Sequence, residues 1–220
     1  MTRTAAPDSV PAAAETPSAA VPAGLFQVRI HGRGGQGVVT AAEMLSVAAF
    51  DEGRFAQAFP SFGSERTGAP VVSYCRIDDV PIRTREPVMA PDALIIQDAT
   101  LVHQVDLLAG LTAHGYVLVN TSRRIDELFS AESVASFDVG RFVTCPATDL
   151  AQEYLGRPLP NAALLGGFAA LTGRVSLAAL ERAVRERFSG ATGERNVAAA
   201  AAAYDAVARE CEGRRRAASA

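Results

Sequence analysis

Three glycines in Gly32-Arg33-Gly34-Gly35-Gln36-Gly37 fall at GxGxxG spacing, and the residues around them restrict the folds open to the chain. Upstream, Phe26-Gln27-Val28-Arg29-Ile30 alternates apolar and polar positions as a strand does. Downstream, Ala41, Ala42, Leu45, Ala48 and Ala49 recur at helical spacing from Val38, and Gly53 suits the position just past a helix end. A strand, a glycine turn and a helix in that order make an α/β unit. The amide groups at the helix start, at the positive end of its dipole, are suited to an anion. Gly32 would permit the tight turn, Gly34 a close approach of the backbone to a ligand, and Gly37 close packing of helix on strand.

Two familiar uses of such a turn fit poorly. A Walker A loop needs Lys and Ser or Thr after the last glycine, where this chain has Val38 and Val39. A dinucleotide site wants an acid at the end of the second strand, a slot filled here by Pro60 or Ser61. Glu52 has about the right spacing but lies at the end of the helix. A free-standing NAD- or FAD-binding protein and a non-enzymatic assembly module remain the alternatives.

The rest of the chain continues the α/β pattern. Strands are expected at Phe55–Phe59, Val71–Ile77, Ala93–Gln97, Tyr116–Val119 and Arg141–Thr144, with Asp78-Asp79 turning into Val80-Pro81-Ile82. Helices are expected at Thr100–Leu111 and around 148–155, 161–172, 177–188 and 194–210, with Ser176 as an N-cap. Two strands joined without a helix argue for a mixed, mostly parallel sheet in a single three-layer domain spanning residues 25–210. Residues 1–24 are rich in Ala and Pro and read as a disordered arm; 211–220, with Arg214-Arg215-Arg216, read as a flexible tail. The segment 162–171 is apolar nearly all round, which requires burial in the core or against another subunit.

Composition narrows the function. A net charge of −3 gives no electrostatic reason to expect nucleic acid. No apolar run approaches the ~20 residues that span a bilayer, and no secretory signal is evident, so a cytoplasmic location is expected. Cys75, Cys145 and Cys211 are too dispersed to hold an iron–sulfur cluster, and His31, His103 and His114 are equally scattered, so no metal site is expected. His31 reads as a structural hydrogen-bonding residue. Asp98, Asn120 and Cys145 end strands and read as turn, capping and inert residues.

A second loop carries charge. Ser61–Pro70 places Glu65 and Arg66 between Gly63 and Gly68, where they can face a ligand or a partner chain. Together, HGRGGQGVVTAAE (31–43) and AQAFPSFGSERTGAP (56–70) resemble the gamma subunit of pyruvate/2-oxoacid:ferredoxin oxidoreductases, with the likeness extending over about 26–210. It continues through Arg76-Ile77, Pro81-Ile82-Arg83 and Pro160-Asn161-Ala162-Ala163-Leu164-Leu165-Gly166-Gly167-Phe168.

That resemblance implies a pyruvate synthase-type complex that decarboxylates a 2-oxoacid, pyruvate foremost, to acyl-coenzyme A and carbon dioxide. Thiamine pyrophosphate, magnesium and 4Fe-4S clusters would sit in alpha, beta and ferredoxin-like delta partner subunits, with ferredoxin as acceptor. This chain, with no catalytic residue of its own, would help to hold coenzyme A through Arg33, Gly34, Gly35, Gln36, Gly37, Glu65, Arg66 and Thr67. Many members carry a basic residue where this chain has Thr67, which would shift phosphate contact towards Arg66 and Arg33.

Overall fold

The structure, a computed structural model, describes residues 24–61 and 67–218. β1 (Phe26–Arg33) leads into the glycine turn, and α1 (Val38–Asp51) follows it. β2 (Phe55–Pro60) and β3 (Pro70–Asp78) form an antiparallel pair, and β3 then lies antiparallel to β1. On the other side of β1, β4 (Ala93–Ile96), β5 (Tyr116–Asn120) and β6 (Phe142–Cys145) add in parallel. The six-stranded order is β2-β3-β1-β4-β5-β6, the mixed, mostly parallel sheet expected from the sequence.

α2 (Ala131–Val134) is a single turn; α3 (Ala147–Leu155), α4 (Asn161–Thr172), α5 (Leu177–Arg187) and α6 (Gly190–Ala218) close the chain. Ser176 caps α5 as expected, its hydroxyl accepting from the Ala179 amide at 3.1 Å. On one face of the sheet, Val28, Ile30, Ile95, Leu118 and Val143 pack against α1, α4, α5 and α6 in one continuous apolar core. α4 is wholly internal, and its first glycine permits this: a Cβ on Gly166 would lie 2.0 Å from the Ala200 carbonyl oxygen of α6. Gly167 faces Leu118, Cys145 and Val207. The segment whose burial the sequence left open between core and subunit contact therefore belongs to the core.

On the other face, Leu94, Ile96, Val117, Val119 and Phe142 meet Leu101, Leu107, Leu111, Leu128 and Phe129. This third layer consists of short helical turns. The helix expected at Thr100–Leu111 is absent; only Ala99–His103 forms a 3-10 turn. The reason lies in β1. Arg29, buried in the sheet, donates through Nη2 to the carbonyls of Leu107 and Ala109, both at 2.8 Å. Those two acceptors serve a guanidinium instead of a helical ladder. Gly110 then turns at φ 75, where a Cβ would lie 1.9 Å from the Met89 carbonyl oxygen.

Two other expectations change. Val80-Pro81-Ile82 forms no strand, and Val80 is exposed. The flexible tail proposed for 211–220 is helical to Ala218, with Arg214 paired to Glu210 and donating to the Phe142 carbonyl at 2.7 Å. The arm at 1–24 lies outside the described residues except for Gly24.

Candidate functional site

The glycine turn sits at the carboxyl edge of the parallel strands, where the sheet changes from parallel to antiparallel at β1. Its strained positions are Gly35 (φ 92) and Gly37 (φ 74), which favour glycine. Gly32 has a different role from the tight turn expected of it. It remains in β1, and a Cβ there would lie 2.6 Å from Val38 Cγ2, so its absent side chain lets α1 close onto the strand. Gly37 is the N-cap of α1 and provides no side-chain cap, and α1 has no acid in its first turn. Its Cα lies against Asn161 at the start of α4, where a Cβ would meet Asn161 Nδ2 at 2.2 Å.

The second loop docks on the turn. Gly34 donates its N–H to the Ala69 carbonyl at 2.9 Å and accepts from the Gly68 N–H at 3.1 Å, and Gly34 bridges Thr67. The backbone N–H of Gly34 is thus committed to the loop, in place of the ligand approach expected for it. Gln36 donates its N–H to Arg33 O at 3.0 Å. The N–H groups of Gly35 and Gly37 make no hydrogen bond among the described residues. Together with the open first turn of α1, they are the donors left for an anion.

Arg33 and Gln36 act as struts. Arg33 Nε donates to Asp98 Oδ2 at 2.9 Å, Nη1 to Gly68 O at 3.1 Å, and Nη2 to Thr100 Oγ1 and Gln104 Oε1 at 2.8 and 3.0 Å. Gln36 Nε2 reaches the same Asp98 oxygen at 3.1 Å, while its Oε1 accepts from the Arg33 amide at 2.7 Å. Burial works against ionisation of Asp98. Hydrogen bonds from Thr100, Gln36 and Arg33 outweigh it and hold the carboxyl below its ordinary range. Asp98, read from the sequence as a turn residue, is therefore the anchor of the site, and only its position at the end of β4 hinted at this.

Asn161 and Gln97 were also missed as site residues. Gln97 Nε2 donates to Asn161 Oδ1 at 3.3 Å, joining the carboxyl end of β4 to the start of α4 behind Gly37. Asn120 caps as expected, accepting from the Thr148 amide at 3.0 Å. Burial pushes the Cys145 thiol up to about 12, in keeping with its reading as inert. His31 accepts from Arg29 Nε at 2.9 Å, a structural bond. The structure thus brings together Arg33, Gly34, Gly35, Gln36, Gly37 and Thr67 from two distant segments. Glu65 and Arg66 lie outside the described residues.

The chain is similar to known proteins over most of its length. Residues 27–206 match the family described as pyruvate ferredoxin/flavodoxin oxidoreductase. The common gamma subunit of the pyruvate/ketoisovalerate oxidoreductases of Thermococcus kodakarensis is 45% identical over 181 residues, covering 82% of this chain and 96% of that one. Pyruvate synthase subunit PorC of Methanothermobacter marburgensis is 45% identical, covering 82% and 97%. The crystal structure of pyruvate oxidoreductase subunit PORC from Thermotoga maritima superimposes with a TM-score of 0.72 at 32% identity, over 83% of this chain and 96% of that one. The match runs from β1 into α6 and includes both loops of the site, so the chain belongs to the pyruvate ferredoxin/flavodoxin oxidoreductase family, among its gamma subunits.

Proposed function

We propose that this chain is the coenzyme A-positioning gamma subunit of a thiamine pyrophosphate-dependent pyruvate:ferredoxin oxidoreductase. It would act in the cytoplasm with alpha, beta and ferredoxin-like delta subunits, and with ferredoxin as acceptor. The observation that carries the reading is the uncapped start of α1, with the N–H groups of Gly35 and Gly37 making no hydrogen bond among the described residues, beside a second glycine-rich loop. Those donors fit a phosphate of coenzyme A, because backbone N–H groups at a helix start offer both hydrogen bonds and positive charge.

Thiamine pyrophosphate and the iron–sulfur clusters, held by partner subunits, would supply the decarboxylation and the electron path. What this chain does is narrower. Gly35 and Gly37 present amide hydrogens. Asp98, Arg33 and Gln36 hold the turn in the conformation that exposes them. Since the Arg33 donors are spent on Asp98, Gly68, Thr100 and Gln104, its part is to position, and Arg66 is the cation proposed to meet phosphate.

Arg66→Ala tests this in the reconstituted complex. Losing one charge-assisted hydrogen bond should weaken the apparent affinity for coenzyme A about tenfold to a hundredfold, the equivalent of ~1.5–3 kcal/mol. Decarboxylation and the first electron transfer, assayed in a single turnover without coenzyme A, should be spared. An unchanged coenzyme A response with intact assembly would remove Arg66 from the site. Equal damage to both assays would assign the loop to a subunit interface.

A further inference from the structure

A cavity of about 440 Å³ is lined by residues of α1, α4 and α6 and by those following α3 and ending α5. Three helices begin at it. Thr40 is the third residue of α1, Asn161 the first of α4 and Thr192 the third of α6, and all three line the wall. Their amino ends bring partial positive charge to one space. Arg157, Arg187 and Arg195 complete the wall, and no lining residue is acidic. α3 and α5 end here, so Arg157 and Arg187 also offset the carbonyl charge of those helix ends. Arg195, near the start of α6, faces no such charge on its own helix. Elsewhere among the described residues, nine arginines sit in ion pairs: Arg33, Arg54, Arg123, Arg124, Arg141, Arg182, Arg185, Arg214 and Arg216. Arg157 and Arg195 make neither an ion pair nor a hydrogen bond among the described residues.

One buried group points to the same chemistry independently of the surface charge. Asn161 is only 8% exposed, and its Oδ1 is used by Gln97, but its Nδ2 donates to nothing among the described residues. That nitrogen is not sealed in the interior, so it is open to an acceptor in the cavity that Asn161 lines. Phe188, with Arg187 over its ring at 5.3 Å, gives the cavity an aromatic wall beside its cations.

We propose that this cavity binds a phosphate-bearing ligand of nucleotide size, with Arg157, Arg195 and Asn161 Nδ2 on the phosphate oxygens and the base against Phe188. The volume suits such a ligand. The assignment does not depend on where coenzyme A places its phosphates at the glycine turn. Two sources share the chemistry: the adenosine phosphate end of a coenzyme A molecule, and a separate nucleotide.

The test is calorimetric titration of the full chain with inorganic pyrophosphate and with ADP at low salt. Saturable binding tighter than about 1 mM is expected for both. Arg157→Ala and Arg195→Ala should each weaken it at least about tenfold, and the double variant about a hundredfold or more. Both side chains are exposed, so the melting temperature should be unchanged. Arg209→Ala, an exposed arginine of α6 outside the cavity, should leave pyrophosphate binding untouched, which separates this site from general surface charge. Coenzyme A competing with ADP in the native chain, but not in Arg157→Ala/Arg195→Ala, would make coenzyme A the occupant; simultaneous binding would make it a separate nucleotide. Absence of saturable pyrophosphate and ADP binding, or equal affinity in the double variant, would overturn the assignment.

Discussion

Gly166→Ala is expected to lower the melting temperature of this chain more than almost any other single-methyl change. The added carbon would lie 2.0 Å from the Ala200 carbonyl oxygen and 2.9 Å from its Cα. Both are backbone atoms, so no rotamer change can relieve the clash. α4 and α6 must move apart, and the apolar contacts between them loosen along the interface. Overpacking of a rigid core usually costs about 1–3 kcal/mol and here, with backbone struck, about 3–5 kcal/mol, against which alanine regains ~1 kcal/mol of helix propensity. A net loss of about 2–4 kcal/mol should lower the midpoint by roughly 5–15 °C in a chain of this size. Gly166→Val should prevent stable folding. Gly213→Ala is the control: it lies in α6 with nothing within 4 Å of the added carbon, and should stabilise slightly or leave the midpoint unchanged. Equal melting of Gly166→Ala and the parent chain would show that the two helices do not meet at their backbones.

Acid should destabilise the fold through His31. The ring is buried in β1, accepts from Arg29 Nε, and is lowered to about 3, by burial first and by the Arg29 charge second. The unfolded chain would protonate this histidine near its ordinary value of 6.5. Between those values the unfolded state holds a proton that the folded state does not. Stability therefore rises with pH from about 3 to 6.5, and is lost as the solution is acidified. At pH 4 the loss amounts to roughly 3 kcal/mol relative to pH 8. His31→Gln retains an acceptor for Arg29 but takes up no proton. Urea midpoints from pH 4 to 8 should fall less steeply for the variant, by about one proton's worth of slope. Parallel curves would mean that His31 is not held neutral.

Much of the fold could be read from residue periodicity because those segments obey one dominant force. Phe26, Val28 and Ile30 alternate, and Ala41, Ala42, Leu45 and Ala48 recur at helical spacing; each set buries one face of its element. Thr100–Leu111 also carries leucines at near-helical intervals, and Leu101, Leu107 and Leu111 are indeed buried. There the deciding force came from Arg29, 78 residues upstream of Leu107, which no local pattern reveals. The terminal arginines misled in the same way, since Arg214 gains its partners only once α6 lies beside β6. At the site, the two glycine-rich loops were both visible as sequence, but the division of labour was not. Asp98 is an ordinary strand-end acid until Arg33 and Gln36 converge on it, and Asn161 is a helix-start residue until it is seen to fill the space beside Gly37.

In the proposed function this chain contributes binding and assembly, and the redox chemistry lies in other subunits. Viologen reduction by pyruvate and coenzyme A, assayed with the purified full chain alone and then with its partner subunits added, tests it most directly. The chain alone should be colourless and inactive, since its three cysteines, one in β3, one in β6 and one in α6, lie too far apart in the sequence to form a cluster motif. Activity should appear only when the thiamine- and cluster-bearing subunits are present. Reduction of viologen by this chain alone, free of contaminating enzyme, would contradict the account.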